Sequence, residues 1–462
     1  MTIAGRSSVA PALARPTPPR QRLSLLEYWR AVRDSWIAGI SEDSYDRDII
    51  ENRFLWQRTF IVNDPAAIKR ILIDNAANYT KTEMTRQFLE PVLGKGLVTS
   101  EGEIWRRHRR IMAPSFDFRS LISYAPIMTD VADKLSEKWN ATADGSIVDV
   151  ATEMMQATLT IISRTMFSSD SEGIVHIVER AVVGYQTEVR PRLLDVLGLS
   201  YFLPRPRASK ATRAAFKELD EIINRLIAER VRNPDFGAKD LLARLVAARD
   251  EETGGGMTAQ EIRDQIITIF MAGHETTALA LTWTWYLLSQ HPLEEQKLHA
   301  ELDRVLGGRL PSHDDVVKLP YTRMIIEESM RLYPPVHTIT RSPLADDEVC
   351  GHRIPKGSIV LIMPWILHRH RKFWDQPERF DPERFSSGRT ASRPRFAYLP
   401  FSAGPRVCIG AAFAMTEAVL LLAALAQRFR MRIAPDQLVD PQALITLRPR
   451  NGLKIVLERR GK

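Results

Sequence analysis

Cysteine is nearly absent from this chain. Two residues, Cys350 and Cys408, occur among 462. That excludes a disulfide scaffold and any site needing four thiolates, including multi-cluster iron–sulfur centres. Long apolar runs are missing too. The longest, Ala418 to Ala426, falls far short of the ~20 residues a membrane span requires. The N-terminus lacks the apolar core of a secretory signal. Its first 26 residues contain no Asp or Glu and carry Arg6, Arg15, Arg20 and Arg22. Mitochondrial transit segments and solvated leaders share that pattern. Pro11, Pro16, Pro18 and Pro19 favour an extended leader. No internal repeat or low-complexity linker breaks the remainder, so residues 1–20 read as a flexible Pro-rich leader and 21–462 as a single domain. The expected setting is cytoplasmic, with no transmembrane anchor.

What is present is ordinary globular composition: 44% hydrophobic, 26% charged, 23 Gly and 28 Pro. Collagen-like, mucin-like, coiled-coil and wholly disordered classes are thereby excluded. The net charge of +8 hints at an acidic partner without naming one. Residues 21–50 read as a helix leading in, and 53–64 as paired short strands. Residues 64–79 read as a helix with Asp64 as N-cap and Pro65 in the first turn. From about 117 to 345 apolar residues recur mostly at helical spacing. Short strands such as 358–363 follow, then a helix over 411–430 and a strand-like tail. The fold class is mainly α with minor β: a helical body and a small β-rich region.

One helix stands out. Thr258 and Glu261 fit a capping box, and the pattern runs on to His291, before Pro292. That is about 32 residues, or ~48 Å. Its middle, "AGHETT" (272–277), is poor helix sequence, because Gly273 is costly and Thr276 and Thr277 are β-branched. Two readings stand: a local distortion facing something, or a tolerated polar patch.

Cys408 lies in "FSAGPRVCIG" (401–410), after a turn at Gly404 and Pro405 and just before a helix. Helix N–H groups and the adjacent Arg406 favour a thiolate there. A thiolate suits a soft metal or a nucleophile. The alternative is an inert buried cysteine, which would require neither Arg406 nor the glycines Gly404 and Gly410.

This segment resembles the heme-binding loop of the cytochrome P450 family, Phe-x-x-Gly-x-Arg-x-Cys-x-Gly, at Phe401, Gly404, Arg406, Cys408 and Gly410. Four further motifs follow the family's order. "WRRHR" (105–109) is similar to the Trp-x-x-x-Arg of a heme-contacting helix. "AGHETT" is similar to the oxygen-activating motif, "EESMR" supplies Glu328 and Arg331 of Glu-x-x-Arg, and "FDPERF" supplies Arg384. The resemblance therefore covers essentially the folded chain and implies the cytochrome P450 fold.

The resemblance implies heme b (iron protoporphyrin IX), with Cys408 as the axial metal ligand. Such a thiolate favours O–O cleavage. Phe401 would shield the sulfur. Arg406, Arg109 and Arg341 would meet the propionates, with Trp105 donating its indole N–H. Glu328, Arg331 and Arg384 would be structural, holding the loop that presents Cys408. Glu275 and Thr276 would relay protons, Thr276 as the hydroxyl nearest O2 and Glu275 as the link to solvent; His274 would pack against a neighbour. Val98, Phe270, Ala272, Thr276 and Val336 would wall an apolar pocket, with Ala272 against the heme. Residues 180–215 would form a lid, with Arg190 and Arg192 read as surface charges.

The function implied is a heme-thiolate monooxygenase. It would insert one oxygen atom from O2 into a small apolar substrate: a fatty acid, terpenoid, steroid or xenobiotic. No reductase segment is visible, so NAD(P)H would act indirectly through an acidic ferredoxin or flavodoxin with its reductase. "RRHRR" (106–110) offers a docking patch, with Arg106, Arg107 and Arg110 facing out and Arg109 in. No nucleic-acid motif accompanies it. The chain reads as a monomer. The alternative is a heme-thiolate sensor or carrier without turnover, against which Glu275 and Thr276 argue. Hydrolytic and non-heme-iron readings built on His368, His370 and Asp375 lack a supporting pattern. Cys350 has no visible role.

Overall fold

The computed structural model describes residues 13–19, 23–54, 57–168, 208–233 and 240–461, with isolated positions between 177 and 195. The expected lid therefore lies largely outside the described residues, as does Arg190; Arg192 pairs with Asp195.

In chain order the described helices are α1 (Leu25–Asp34), α2 (Pro65–Lys69), α3 (Glu83–Leu93), α4 (Gly102–Met112), α5 (Phe118–Ala141), α6 (Val150–Phe167), α7 (Lys210–Arg232), α8 (Leu241–Ala247), α9 (Ala259–Gln290), α10 (Pro292–Leu306), α11 (Pro320–Leu332), α12 (Pro364–Leu367), α13 (Ser387–Ala391) and α14 (Ala411–Ala426). The long helix α9 forms as its capping box dictates. Glu261 N–H donates to Thr258 Oγ1 at 3.2 Å, and Thr258 N–H donates to Glu261 Oε2 at 2.7 Å. It is buried nearly all round, packed along α6 and crossed by α11 and α14, which is why its apolar residues do not form a single stripe.

Of the two readings of "AGHETT", the local distortion is not seen; α9 runs through it. Thr276 and Thr277 hydroxyls donate to the Ala272 and Gly273 carbonyls at 2.8 and 3.2 Å. The poor helix formers are thus satisfied along the helix itself. Thr158 on α6 donates to the His274 carbonyl at 2.9 Å.

The main sheet orders its strands β1 (Ile49–Phe54), β2 (Gln57–Val62), β8 (Ile359–Ile362), β5 (Ile339–Pro343) and β3 (Tyr79–Thr80). The strand pair expected over 53–64 begins four residues earlier, with β1 starting at Ile49 and β2 ending at Val62. Strands β4 (Ile147–Asp149), β12 (Lys454–Arg459) and β9 (Phe429–Ile433) form a second sheet. Strands β6 (Asp347–Val349) and β7 (His352–Ile354), and β10 (Pro441–Ala443) and β11 (Leu447–Pro449), form two small pairs.

Three helix expectations shorten; the one over 411–430 ends at Ala426, and β9 begins at Phe429. Residues 21–50 yield only α1, then 3-10 turns at Trp36–Gly39 and Glu42–Tyr45 before β1. Asp64 does cap α2, accepting from Ala67 N–H at 2.8 Å. The chain then widens into a π-turn over Arg70–Asp74, and the carbonyl of Leu72 in that turn meets the cysteine loop. At the N-terminus, Ala14 is clamped to the body. Its N–H donates to Tyr286 Oη at 3.0 Å, and Tyr333 Oη donates to its carbonyl at 2.8 Å.

Candidate heme site

The loop 401–410 closes on itself before α14 begins. Cys408 N–H donates to the Phe401 carbonyl at 2.9 Å, and Gly410 is the N-cap of α14. Gly404 has φ +72°, and a Cβ there would lie 1.9 Å from Leu72 O. Only glycine fits both demands. Phe401 is half-buried against the main core. Cys408 is exposed yet lies deep in the protein mass, where burial pushes its thiol up. The Gly410 backbone and Arg109 pull it down only in part. The helix start and Arg109 thus lower the thiol by less than burial raises it, whereas a coordinating metal ion deprotonates a thiol outright.

A buried network holds the loop in place. Arg331 donates to both oxygens of Glu328 at 2.6 and 2.7 Å, and to the carbonyls of His368, Pro377 and Arg379 at 2.8, 2.7 and 3.1 Å. Arg384 stands 3.5 Å from Glu328, and Asp381 N–H donates to Glu328 at 3.0 Å. Leu399 N–H then donates to His368 Nε2 at 2.9 Å. Burial, with Arg331 and Arg369 nearby, holds His368 neutral, as an acceptor must be. The Glu328–Arg331 pair is thus connected through His368 to the residue two before Phe401.

The expected propionate cations divide. Arg406 turns away from Cys408: it donates to Ser100 O at 2.9 Å, pairs with Glu101 and lies 4.2 Å over the Trp105 ring. Arg341 is buried on β5, and burial, with Arg406 near, brings it down to about 10. Lys81 joins them; burial, Arg406 and Arg341 bring its ammonium down to about 7. Three cations thus lie close together, and Arg406 alone of them pairs with a carboxylate, Glu101. Such a cluster is costly without further anions, and a ligand with two carboxylates answers it. Arg109 stands apart, donating to Val407 O at 2.9 Å beside the cysteine. Lys81 and Glu101 escaped the sequence reading because neither sits in a motif.

On α9, Ala272 is exposed and Thr276 half-buried between fully buried neighbours. Val336, Cys408 and Ala412 are exposed too. Their exposure is what a recess between α9, the start of α14 and the 334–338 segment would produce. A planar apolar group bearing two carboxylates and a thiolate-seeking metal fits this set of residues. Val98 is half-buried beside a tight loop contact, where Leu97 N–H donates to Gln265 Oε1 at 3.0 Å. Phe270 does not line the wall; it is 1% exposed and packs on Phe167 with centroids 5.6 Å apart. His274 is buried and bonded to the Phe270 carbonyl. Glu275 is 3% exposed and accepts from Thr446 Oγ1 at 2.8 Å, so the direct link to solvent is corrected to a buried one. Glu417 on α14 is also buried. Burial raises its carboxyl well above the ordinary range, with only Thr277 opposing.

The docking run is largely neutralised. Arg107 pairs with Glu261 at 2.7 Å, Arg110 with Asp250 at 2.9 Å and Glu252 at 3.0 Å, and Arg106 with Glu103. Burial opposes the ionisation of Glu261, but Thr258 N–H, His108 and Arg107 hold its carboxyl down to about 2. Among the described residues no His, Cys, Asp and Glu cluster could hold a metal ion, and no helix is long and apolar enough to cross a membrane.

The cytochrome P450 family profile matches residues 44–455. Cyclooctatin synthase of Streptomyces melanosporofaciens is 38% identical over 405 residues, covering 87% of this chain and 86% of that protein. Pentalenene oxygenase of Streptomyces avermitilis is 33% identical over 420 residues, 89% and 90% of the two chains. The crystal structure of a cytochrome P450DA heme domain superposes with a TM-score of 0.80 at 27% identity, over 96% of each chain. The match takes in α4, the centre of α9, the Glu328–Arg331 network and the cysteine loop together, and the chain belongs to the cytochrome P450 family.

Proposed function

We propose that this P450 monooxygenase hydroxylates an apolar terpenoid, with Cys408 as the iron ligand and Glu275 and Thr276 as its proton relay. The observation that carries the site assignment is Cys408 left exposed just before α14, together with three cations, Lys81, Arg341 and Arg406, close enough for Arg406 to lower the proton affinity of the other two. The substrate class draws on relatives named for cyclooctatin and pentalenene oxidation, and on the apolar Ala272 and Val336 exposed to the recess.

A heme b held by Cys408 would supply the activation of O2, with the electrons coming from a separate donor. The chain's own residues do the rest. Arg406, Arg341 and Lys81 would hold the propionates, with Trp105 beside Arg406. Arg109 holds the Val407 carbonyl and so fixes the peptide next to the sulfur. Thr276 keeps a hydroxyl on the recess side of α9, its proton lent to the Ala272 carbonyl. Rotation about χ1 frees that proton for transfer. Glu275 resupplies it from the buried side. Ala272 and Val336 exclude water and orient the substrate C–H. Electrons from NAD(P)H arrive through an acidic ferredoxin or flavodoxin with its reductase, steered to the cysteine side of a chain of net charge +8. The protein works as a cytoplasmic monomer.

Thr276→Ala tests the relay. With a surrogate ferredoxin and reductase, the variant is expected to keep its heme and release more peroxide per NADPH. Unchanged coupling would remove Thr276 from the relay.

A further inference from the structure

A buried carboxylate needs donors. For Glu275 one is Thr446, whose Oγ1 donates to Oε1 at 2.8 Å. Both residues are nearly sealed, 3% and 5% exposed. Thr446 stands in the turn between β10 and β11, strands of three residues each. A ladder that short cannot hold its tip alone. Three outside bonds do so. Trp283 Nε1, two helical turns beyond Glu275 on α9, donates to Leu447 O at 3.0 Å. Leu447 N–H donates to Pro335 O at 3.0 Å. His337 Nε2 meets Leu444 O at 2.9 Å, and its Nδ1 meets Thr338 Oγ1 at 2.8 Å. Burial lowers His337 to about 4, so the ring is neutral: Nε2 carries the proton toward the carbonyl and Nδ1 accepts from Thr338. The hydroxyl is therefore fixed relative to α9 and to the two residues flanking Val336.

We infer that Thr446 is a positioning residue for proton delivery: its hydroxyl, set by the β10–β11 turn, fixes the Glu275 carboxylate relative to Thr276. The inference rests on Glu275 acting in the relay. It differs from a role in folding alone, because a hydroxyl that only fills space or satisfies a buried oxygen would affect stability and leave proton transfer unchanged. The same turn is bonded to Pro335 and His337, so the wall that carries Val336 and the acid of the relay share one rigid support.

Holoenzyme variants Thr446→Val, Thr446→Ser and Glu275→Gln test this with NADPH and a surrogate ferredoxin and reductase. Two readouts are used: peroxide released per NADPH in H2O and in D2O, and the infrared band of the Glu275 carboxyl, assigned by its disappearance in Glu275→Gln. Thr446→Val is expected to raise peroxide about threefold, as loss of one buried hydrogen bond would. It should also move the solvent isotope effect in the direction of Glu275→Gln and shift the carboxyl band. Thr446→Ser should restore all three. If Thr446→Val does not retain heme, Thr446→Ala is read the same way. If Glu275→Gln changes peroxide and isotope effect while the Thr446 variants leave both, and the band, at wild-type values, the inference is overturned and the relay stands. If Glu275→Gln changes nothing, the relay falls and the positioning role falls with it.

Discussion

Glu417 is a carboxylic acid that the fold keeps neutral. Burial raises its proton affinity well above the ordinary 4.5, so the native state keeps a proton that the unfolded chain releases. Its burial therefore costs nothing extra below about pH 4.5. Above that, stability falls with rising pH by about 1.4 kcal/mol per unit until the native group itself ionises. Glu417→Gln removes the titrating group while keeping its shape. Its melting temperature should exceed the wild-type value at pH 8 by more than at pH 5, and equal shifts at both would contradict the neutral assignment. Gly404 makes a second test. Alanine there would need φ +72° and would meet Leu72 O, so Gly404→Ala should keep its helical circular dichroism and lose most heme. At this scale the sequence was legible wherever a residue lies in a local pattern: Cys408, Gly404 and Arg406 sit within ten positions. Lys81, Glu417 and Thr446 were not, because their roles arise from contacts made far along the chain, as with the 171 positions between Glu275 and Thr446. Phe270 was misplaced because the resemblance gives a residue's position along the helix, not which neighbour covers it.

Among the elements, α9 was readable from its caps. Thr258 with Glu261 sets its start and Pro292 follows its end, signals that act within one turn. The segment after Asp64 was readable only in part: the capping Asp and first-turn Pro are local, but the π-turn at 70–74 accompanies the Leu72–Gly404 approach, which no local pattern encodes. The Glu328–Arg331 pair shows how an element can serve the site without touching it. Arg331 satisfies three carbonyls of the 368–379 segment. Arg331→Lys keeps the charge but cannot reproduce that fork. Breaking such a buried set costs about 3–5 kcal/mol, and the variant should express largely without heme, read as the ratio of Soret to protein absorbance. Heme content equal to wild type would show that the network does not support the cysteine loop.

For the whole molecule, the basic run on α4 ties elements together. Arg107 and Arg110 tie α4 to the start of α9 and to the 250–252 turn. Arg110→Gln should therefore lower the melting temperature more than Arg106→Gln, whose ion pair is exposed on both sides. Screening of the remaining positive field should still slow reduction by an acidic ferredoxin about tenfold from low to high salt, and a salt-independent rate would argue against an acidic donor. Everything in the molecular account converges on the sulfur at α14. The most direct measurement is the reduced, CO-bound absorption spectrum of the purified protein beside Cys408→Ser. Thiolate ligation predicts a Soret band near ~450 nm in the wild type and its loss in the variant. A wild-type band at the shorter wavelength of imidazole ligation, or a ~450 nm band that survives in the variant, would contradict it.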